Sequence, residues 1–492
     1  MKWVLVAVVL LAAMPLLTGC YQCLLASLHW FRRPVPAAEE DTLPRIAVVV
    51  PAWNEGAVVG RTIDTLVALE YPADRLRVYV VDDASTDDTP AVVRERAERH
   101  PGRVFHLRRE QGGEGKAHTI NHGLRQVRRE GSYEAVLVID ADVIFTERSL
   151  LRMARHLADD RVGAVSGYIK EGSRPANYLN RFVTYEYVNA QAGARRAHNV
   201  LGAQLCLPGG AELIRREALD AIGGEIDTST LAEDTVTTLR LQLEGWKVVY
   251  EPHAIVWAEE PRDVDGLWRQ RLRWARGNIQ VTWRFRGIWL RRDRAGRLGS
   301  VSFALIWFSV LLMPILMLLA SASLVALFVW DREFSVDVFR GLWAINVFTY
   351  LYVTLSSFSF DPAAARRSWV QGFAFPGLIS LAIIAYALWP PIVDDGVAGL
   401  LEDAGVTTQG ALRDTVLLFA YVWLSASMLA AWLVRRLERV RGLARLAPAL
   451  VYVVGYGPLL CAIAAAAWGK QIGRTEMVWE KTEKTGAIGD VA

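Results

Sequence analysis

This 492-residue chain has only four cysteines and a small formal net charge of +3. A net charge this small does not indicate a nucleic-acid-binding surface. Cys20 and Cys23 form a CxxC pair within an apolar block, and no second pair accompanies them, so a metal site is not predicted there. The basic residues instead cluster beside apolar segments, where the cytoplasmic loops of membrane proteins carry Lys and Arg.

The apolar residues are unevenly distributed. Hydrophobic residues make up 52% of the chain and charged residues 22%, and the apolar blocks have the length of about 20 residues that is needed to cross a bilayer. This distribution predicts five segments: an N-terminal transmembrane helix at 1–30, a cytoplasmic domain at 31–282, an amphipathic interface segment at 283–300, a transmembrane domain at 301–468 and a tail at 469–492.

The C-terminal block contains about five candidate spans, at 302–328, 343–360, 370–393, 415–434 and 448–467. Loops 361–369 and 435–447 are basic, whereas 331–342 and 394–414 are neutral or acidic. This alternation predicts a plasma-membrane protein whose domain 31–282 lies in the cytoplasm. Together with the N-terminal helix, the chain would then have six spans, which would place the tail outside the cell unless one of them is re-entrant.

The N-terminal block allows two interpretations. Leu17-Thr-Gly-Cys20 resembles a lipoprotein cleavage site, but the only charge before it is Lys2 and the apolar sequence continues past Cys20. We therefore expect an uncleaved signal-anchor helix.

The segment 45–140 alternates short apolar runs with helical patterns. Strands are expected at 45–51, 78–81, about 104–107 and 135–139, with helices from 56 to about 69 and up to about 99. Such alternation predicts an α/β domain, in which ligands bind beyond the carboxyl ends of the strands. Three strands end in polar clusters, Asn54-Glu55, Asp82-Asp83 and Asp140-Ala-Asp142, so we expect these clusters to share one site.

Asp140-Ala-Asp142 is a DxD motif directly after an apolar strand. Two carboxylates two residues apart can face one divalent cation that also binds phosphate oxygens, and hard oxygen ligands suit Mg²⁺ or Mn²⁺. The alternative is a helix N-cap. Asp82-Asp83 similarly fits either nucleotide contact or an Asx turn.

The glycine-rich stretch Gly112-Gly-Glu-Gly-Lys116 does not match a phosphate-binding P-loop, because Glu110 and Ala117 occupy positions that the pattern reserves for glycine and Ser or Thr. Lys116 can still approach a phosphate as a point charge.

Two later clusters suit the transfer of a sugar. Glu233-Asp234 opens a helical pattern. A carboxylate at this position can be a helix cap, or it can be the base that takes the proton of the acceptor hydroxyl. Asp234 is the predicted base, and Glu233 is the second choice. Gln270, Arg273 and Trp274 share one helix face. Arg can bind diphosphate oxygens and an indole can stack on a pyranose. The alternatives are a membrane-interface Trp or a core-packing helix.

The combined pattern resembles the processive family 2 membrane glycosyltransferases, the group of hyaluronan, chitin-oligosaccharide, cellulose and poly-β-1,6-N-acetylglucosamine synthases. The resemblance covers about 45–280 and rests on Val50-Pro-Ala-Trp-Asn-Glu55, Val81-Asp-Asp-Ala-Ser-Thr-Asp87, Gly115-Lys-Ala117, Asp140-Ala-Asp142, Glu233-Asp234 and Gln270-Arg-Leu-Arg-Trp274. The stretch Gly266–Ala275 is most similar to the poly-N-acetylglucosamine synthases.

The resemblance implies a GT-A type α/β domain, a nucleotide-sugar-binding mixed sheet with flanking helices, joined to a multi-span α-helical membrane domain. It implies Asp234 as the base and Mg²⁺ or Mn²⁺ on Asp140 and Asp142. Donor binding would involve Pro51, Asn54, Glu55, Asp83, Lys116, Asp140 and Asp142; the diphosphate and acceptor end would bind Gln270, Arg273 and Trp274.

The resemblance predicts a UDP-sugar-dependent, inverting β-glycosyltransferase that elongates a polysaccharide, with N-acetylglucosamine as the expected sugar, and exports it through the bilayer. An accessory membrane or periplasmic subunit is left open as a partner. Cys206-Leu-Pro-Gly-Gly210 departs from the Ser-Gly pair of many relatives, which leaves the donor sugar open. The alternatives are a non-processive enzyme acting on a lipid or carrier, and a transporter or receptor with a nucleotide-sensing domain; charged residues are absent from the centres of the spans, which argues against the last.

Overall fold

The chain forms two compact units in a computed structural model, which describes residues 1–31, 42–389, 409–475 and 484–488. The α/β unit contains Leu24–Arg262, Gly277–Ala304 and the described part of the C-terminal tail. The helical unit contains Met1–Cys23, Asp263–Arg276 and Leu305–Thr475.

Eight strands form a single sheet in the α/β unit. Their bounds are β1 Ile46–Ala52, β2 Leu76–Asp82, β3 Val104–Arg108, β4 Ala135–Val138, β5 Val143–Phe145, β6 Val162–Glu171, β7 Glu212–Arg215 and β8 Lys247–Ala258. Their order across the sheet is β3-β2-β1-β4-β7-β6-β8-β5. The strands β3, β2, β1 and β4 are parallel, β7 is antiparallel to both of its neighbours, β6 and β8 are parallel, and β5 closes the edge antiparallel to β8. The α/β class predicted from the sequence is confirmed as a mixed sheet.

The helices of the first half of the chain mostly connect these strands. Their bounds are α1 Lys2–Leu11, α2 Met14–Leu28, α3 Gly56–Val67, α4 Thr89–Arg99, α5 Lys116–Glu130, α6 Ser149–Ala154, α7 Tyr178–Tyr187, α8 Ala194–Leu201, α9 Arg216–Ala221, α10 Glu233–Leu243 and α11 Val264–Arg284. A π-helical turn, Val188–Gly193, joins α7 to α8.

The core of the α/β unit explains why its first strands could be predicted. Val48, Val49 and Val50 of β1 are all fully buried, as expected for parallel strands covered on both faces. The amphipathic helix α5 covers one face with Ile120 and Leu124, which join the apolar cluster formed by the strands.

Helices dominate the rest of the chain. Their bounds are α12 Arg292–Ala295, α13 Val301–Leu311, α14 Met313–Trp330, α15 Arg332–Phe360, α16 Pro362–Arg367, α17 Trp369–Ala374, α18 Leu378–Leu388, α19 Gln409–Glu438, α20 Ala447–Val454 and α21 Tyr456–Ile472. Among the described residues, α14, α15 and α19 are long and apolar enough to cross a membrane, and two bent pairs raise the number to as many as five.

The two bent pairs lie at the two ends of the helical region. Helices α1 and α2 meet at 47°, and the pair made by Ala444–Val454 and Tyr456–Ile472 bends by 99°. At the second bend Gly455 has a φ of 111°, and a Cβ there would lie 2.5 Å from the carbonyl oxygen of Pro376. Glycine is required here because two backbones cross closely at a positive φ. A bend of this size is the geometry of a broken or re-entrant span.

The segment 283–300, predicted to be an amphipathic interface segment, is not one continuous helix, and its place at the interface remains a prediction. Helix α11 ends at Arg284, and the short helix α12 and a 3-10 helix, Gly296–Gly299, follow it. Leu290 and Gly296 have φ of 58° and 52°, values that a continuous right-handed helix excludes. Part of another expectation, residues 394–408 of the neutral or acidic loop predicted at 394–414, lies outside the described residues.

Candidate active site

The polar clusters predicted at the strand ends do lie beside one another in the sheet. Ala52, the last residue of β1, pairs with Asp82, the last residue of β2, and β4 lies on the other side of β1. Asp140 and Asp142 follow β4 directly. The three strands thus deliver their polar ends to one edge, as parallel topology requires.

The Asn54 and Glu55 cluster is tied to the loop that follows β2. Asn54 has a φ of 53°, and its Oδ1 accepts a hydrogen bond of 2.8 Å from the backbone N–H of Thr86. The N–H of Glu55 donates to Thr89 Oγ1 at 2.7 Å. Pro51 precedes this turn within β1. These contacts hold the two loops together at the sheet edge.

Asp82 and Asp83 have different surroundings. Asp82 is fully buried, and its carboxylate accepts hydrogen bonds from Arg108 at 2.6 Å and from the N–H of Ser85 at 2.8 Å. Burial opposes its ionisation, but hydrogen bonds from His106 and Ser85 and the charge of Arg108 hold the pKa of Asp82 below its ordinary value. These contacts fix the loop after β2.

Asp83 is bound by the glycine-rich loop. Its carboxylate pairs with Arg109 and accepts a 3.0 Å hydrogen bond from the N–H of Gly113. The loop thus folds over Asp83 in this structure, and a nucleotide contact at Asp83 would have to exchange with these partners. That contact remains a prediction.

Lys116 joins three of the sequence clusters. It is the first residue of α5, and its Nζ lies 2.5 Å from Asp140 Oδ1 and 3.8 Å from Glu233 Oε1. Burial lowers the pKa of Lys116, but the adjoining carboxylates, Asp140 first, outweigh it and keep the pKa above its ordinary value. Lys116 is therefore a buried, charged ammonium between the DxD motif and the start of α10.

Asp234 lies in the first turn of α10 on the other side of this ammonium. Its Oδ1 accepts a 2.6 Å hydrogen bond from the N–H of Thr235, and its Oδ2 accepts a longer one, 3.3 Å, from Gly209. A Cβ added at Gly209 would lie 2.9 Å from Lys116 Nζ and 3.9 Å from Asp234 Oδ2. Gly209 therefore keeps side-chain volume out of the space between the lysine and the carboxylate.

Gly210 keeps the same space open on the side of the DxD motif. A Cβ at Gly210 would lie 3.6 Å from Asp140 Oδ2. Gly209 and Gly210 therefore lie beside Asp234 and Asp140 respectively, and a side chain at either position would reduce the open space there.

Lys484 of the C-terminal tail was missed by the sequence reasoning. Its Nζ lies 2.6 Å from Asp142 Oδ2. The next residues fix this position, because the N–H groups of Thr485 and Gly486 donate to the carboxylate of Glu259 at 3.0 and 2.9 Å. Burial lowers the pKa of Lys484, but Asp142 and the nearby glutamates outweigh it and raise the pKa above its ordinary value.

The DxD carboxylates have the donor set that a hard divalent cation needs. Asp140 and Asp142 each hold an ammonium group in this structure, so both already bind cationic partners. Among the described residues no three His, Cys, Asp or Glu side chains come close enough to form a complete metal site. Two carboxylates would therefore rely on substrate phosphates for the remaining ligands, as Mg²⁺ sites commonly do.

The predicted acceptor residues Gln270, Arg273 and Trp274 lie on α11, in the part of that helix that belongs to the helical unit. The guanidinium of Arg271 stacks 4.1 Å from the ring centroid of Trp274, and Arg271 also donates to Gln270 Oε1 at 3.0 Å. The acceptor role of this helix face remains a prediction.

The start of α11 is anchored to the end of α19. Glu438 accepts hydrogen bonds from the N–H groups of Val264 and Asp265 at 3.1 and 2.9 Å. The Asp265 carboxylate in turn pairs with Arg435 at 2.8 Å and with Arg439. Arg435 and Arg439, which belong to the basic loop predicted at 435–447, therefore also position the start of α11.

Glu212 was also missed. It is the first residue of β7 and is only 2% exposed, and burial, followed by the charge of Asp234, raises the pKa of Glu212 well above its ordinary value although Lys116 opposes the shift. A single acid within the apolar run Ala211-Glu-Leu-Ile214 was the sequence signal that could have identified it.

Several known proteins are similar to this chain. Residues 44–277 match the family model described as glycosyltransferase like family 2. Among curated proteins, the chain is 29% identical over 342 residues to a probable glycosyltransferase, YdaM, of Bacillus subtilis, covering 68% of this chain and 80% of the relative. It is 28% identical over 245 residues to the poly-beta-1,6-N-acetyl-D-glucosamine synthase of Staphylococcus epidermidis, covering 50% of this chain.

The chain spans only 57% of the length of that synthase. Among solved structures, a mannosyltransferase from Pyrobaculum calidifontis in complex with GDP-Man and Mn²⁺ superposes with a TM-score of 0.54 at 25% identity, covering 75% of this chain and 99% of that one. The mixed sheet with its flanking helices is thus GT-A-like.

Proposed function

We propose that this chain is a processive, inverting β-glycosyltransferase, a proposal supported by the match of residues 44–277 to a family 2 glycosyltransferase model. It transfers N-acetylglucosamine from a UDP-sugar to the growing end of a polysaccharide and exports the polymer through its own membrane helices. The similarity to a poly-beta-1,6-N-acetyl-D-glucosamine synthase supports this sugar.

One observation carries the proposal. Lys116 contacts Asp140 of the DxD motif and Glu233 at the start of α10, next to Asp234. A donor bound at the DxD motif would therefore have its anomeric carbon near a carboxylate that can act as a base. Such closeness is the first requirement for general base catalysis.

The chemistry assigns a task to each of these residues. Asp234 takes the proton of the acceptor hydroxyl as the new bond to the anomeric carbon forms, and the bond to the diphosphate breaks on the opposite side. The N–H groups of Gly209 and Thr235 orient the Asp234 carboxylate. Lys116 supplies a buried positive charge close to the position where negative charge develops on the leaving group.

Asp140 and Asp142 would hold the Mg²⁺ or Mn²⁺. When bound, the cation neutralises the diphosphate and so makes it a better leaving group. Mn²⁺ is present in the related mannosyltransferase complex, and the two carboxylates of this chain fit the same hard cation.

The membrane helices and the charge of their loops support the proposed location. Helices α14, α15 and α19 have the length of membrane spans, and the basic loops at 361–369 and 435–447 favour a cytoplasmic position for residues 31–300. Nucleotide-sugars are available on that side of the membrane.

The test is a donor panel on the full-length protein in lipid nanodiscs with Mn²⁺. UDP-N-acetylglucosamine, UDP-glucose and GDP-mannose are supplied separately, and released nucleotide and polymer are measured before and after digestion with linkage-specific hydrolases. We expect consumption of UDP-N-acetylglucosamine and long products that a β-1,6-specific N-acetylglucosaminidase degrades. Products with a single added sugar would instead support the non-processive alternative.

A further inference from the structure

A lysine of the C-terminal tail engages one carboxylate of the DxD motif, and the mechanism above gives that lysine no task. Lys484 Nζ lies 2.6 Å from Asp142 Oδ2 and donates at 2.5 Å to the backbone carbonyl of Glu259. Both members of the ion pair are shielded from solvent, because the Lys484 side chain is 15% exposed and that of Asp142 is 13% exposed. Two cations on one shielded carboxylate repel each other strongly. The ammonium and a divalent cation would therefore compete for Asp142.

The tail residues 484–488, which we call the strap, are fixed to the α/β unit by the carboxylate that follows β8. Glu259 is only 2% exposed, and it accepts the N–H groups of Thr485 and Gly486 at 3.0 and 2.9 Å. It also accepts the Thr485 hydroxyl at 2.7 Å. The paired ends of β8 and β5 place this carboxylate beside the DxD motif. The strap is therefore anchored next to the aspartate that its lysine contacts.

A second set of contacts holds the other end of the strap. The N–H of Arg174 donates to the carbonyl of Ala487 at 2.6 Å, and Ser173 and Ile488 form an antiparallel bridge. The Ile488 side chain is only 7% exposed. A buried apolar side chain together with backbone hydrogen bonds is the arrangement of a docked segment.

Gly486 makes the docking of the strap sensitive to a single methyl group. Its φ is 72°, and a Cβ there would lie 2.9 Å from the carbonyl oxygen of Ala57 in α3. Glycine adopts this conformation without strain and leaves room for the close oxygen. The substitution Gly486→Ala therefore weakens docking while every charged group of the site is kept.

We propose, on the premise that Asp140 and Asp142 hold the divalent cation of the proposed function, that the strap is autoinhibitory. When the strap is docked, Lys484 neutralises Asp142 and keeps the carboxylate from the cation. When the strap leaves, the carboxylate becomes available. Docking of the strap and binding of the cation are thus linked, and each lowers the affinity of the other by the same factor.

Two simpler roles of the strap make different predictions. If Lys484 only neutralised buried acids, Gly486→Ala would leave the affinity for the cation unchanged, because the ammonium is kept. If Lys484 instead bound the diphosphate of the donor, its loss would weaken nucleotide binding even at saturating cation. An autoinhibitory strap predicts that both substitutions raise the affinity for the cation and leave nucleotide binding at saturating cation intact.

The experiment measures Mn²⁺ binding from the electron paramagnetic resonance signal of free Mn²⁺, with the full-length protein in nanodiscs of neutral lipid. Binding is measured without nucleotide and with saturating UDP or GDP. The wild type is compared with Lys484→Met and Gly486→Ala, and Asp142→Asn gives the Mn²⁺ that binds elsewhere. Lys247→Met is the matched control, because Lys247 pairs with Asp159 at 3.3 Å at the opposite end of β8.

We expect Lys484→Met to bind Mn²⁺ about tenfold more tightly than the wild type and Gly486→Ala about fivefold, within the usual range for two coupled sites. The affinity for UDP at saturating Mn²⁺ should stay within about twofold of the wild type. Lys247→Met should bind Mn²⁺ as the wild type does.

Amide hydrogen exchange of the strap gives a second readout that does not depend on turnover. The N–H groups of Thr485 and Gly486 are the ones that donate to Glu259. Because the linkage is reciprocal, Mn²⁺ should accelerate their exchange about tenfold relative to EDTA, as mass spectrometry of the C-terminal peptide would show.

The inference is overturned by an unchanged Mn²⁺ affinity in Gly486→Ala, or by strap amides whose exchange does not respond to Mn²⁺. Weaker UDP binding by Lys484→Met at saturating Mn²⁺ would overturn it by assigning Lys484 to the donor. A wild type that binds no more Mn²⁺ than Asp142→Asn would also overturn it, whereas the donor panel tests sugar transfer independently. Binding that requires GDP instead of UDP would contradict the proposed donor alone, and the same variants compared with GDP would then decide the role of the strap.

Discussion

Helices α10 and α11 both carry an acid in the first turn, and the partners of those acids differ. At α10, Asp234 is held by two backbone N–H groups and lies near the buried Lys116. At α11, Asp265 pairs with Arg435, Arg439 and Arg269. Both oxygens of Asp265 accept charged hydrogen bonds from arginine, whereas those of Asp234 accept hydrogen bonds from the N–H groups of Gly209 and Thr235 and from the Thr235 hydroxyl.

The difference shows why a carboxylate at a helix start cannot be interpreted from sequence alone. Arginine holds a carboxylate in a fixed, two-pronged geometry, which suits an anchor. Lysine offers a compact charge on a flexible stem, which suits a site where a substrate must enter. Both helix starts look like ordinary caps in the sequence, and only their partners separate a base from an anchor.

The largest effect is expected from Asp234→Asn, which removes the base and keeps the shape. Turnover should fall by about 10³-fold or more, because the acceptor proton no longer has a carboxylate to receive it. Nucleotide release and UDP binding by calorimetry, both with Mn²⁺, are the measurements. Loss of UDP binding instead of turnover would reassign Asp234 to the donor site.

Asp265→Asn tests the other helix start. We expect it to lower the stability of the helical unit by roughly 2–3 kcal/mol, because arginines at the end of α19 lose their buried partner. Mn²⁺-dependent UDP binding should stay within about twofold of the wild type. Unfolding monitored by helical circular dichroism in detergent checks the first expectation, and an unchanged melting curve would refute the anchor.

Glu171 shows what burial alone does to an acid in the α/β unit. Burial raises its pKa to about 7, although hydrogen bonds from Ser173 oppose the shift. The folded state therefore binds a proton more tightly than the unfolded state. The stability that this proton confers is complete below about pH 4 and disappears as the pH rises towards 7.

Glu171→Gln should therefore flatten the pH dependence of stability. Between pH 5 and pH 8 the wild type should lose about 2 kcal/mol that the variant does not lose. Melting temperatures across this range provide the measurement. Parallel curves for the two proteins would show that Glu171 titrates normally.

The smallest effect is expected from Trp274→Ala, which tests whether the anchored helix has a functional face. A lost stacking platform costs about 1 kcal/mol, so the average polymer length should fall several-fold while the donor KM changes little. Trp283→Ala, an exposed tryptophan later in the same helix, is the control. An unaltered length distribution would refute the acceptor role of Trp274.

The sequence predicted the first four strands and the grouping of their polar ends well, because buried parallel strands have a strong apolar signal. It did not predict the contacts of Lys484 or Glu212. Lys484 lies in a tail without a regular pattern, and its contact with Asp142 depends on the tertiary fold. The breaks in the apolar helices were not predicted either, since the bend at Gly455 depends on a close backbone crossing with Pro376.

The most direct test of the site is a structure of the Asp234→Asn variant with UDP-N-acetylglucosamine and Mn²⁺. The account predicts Mn²⁺ on Asp142 in place of the Lys484 ammonium, with the anomeric carbon about 4–6 Å from the side chain of residue 234, close enough for an acceptor hydroxyl to lie between them. An anomeric carbon more than about 10 Å away would contradict the account, because no hydroxyl could then contact both groups.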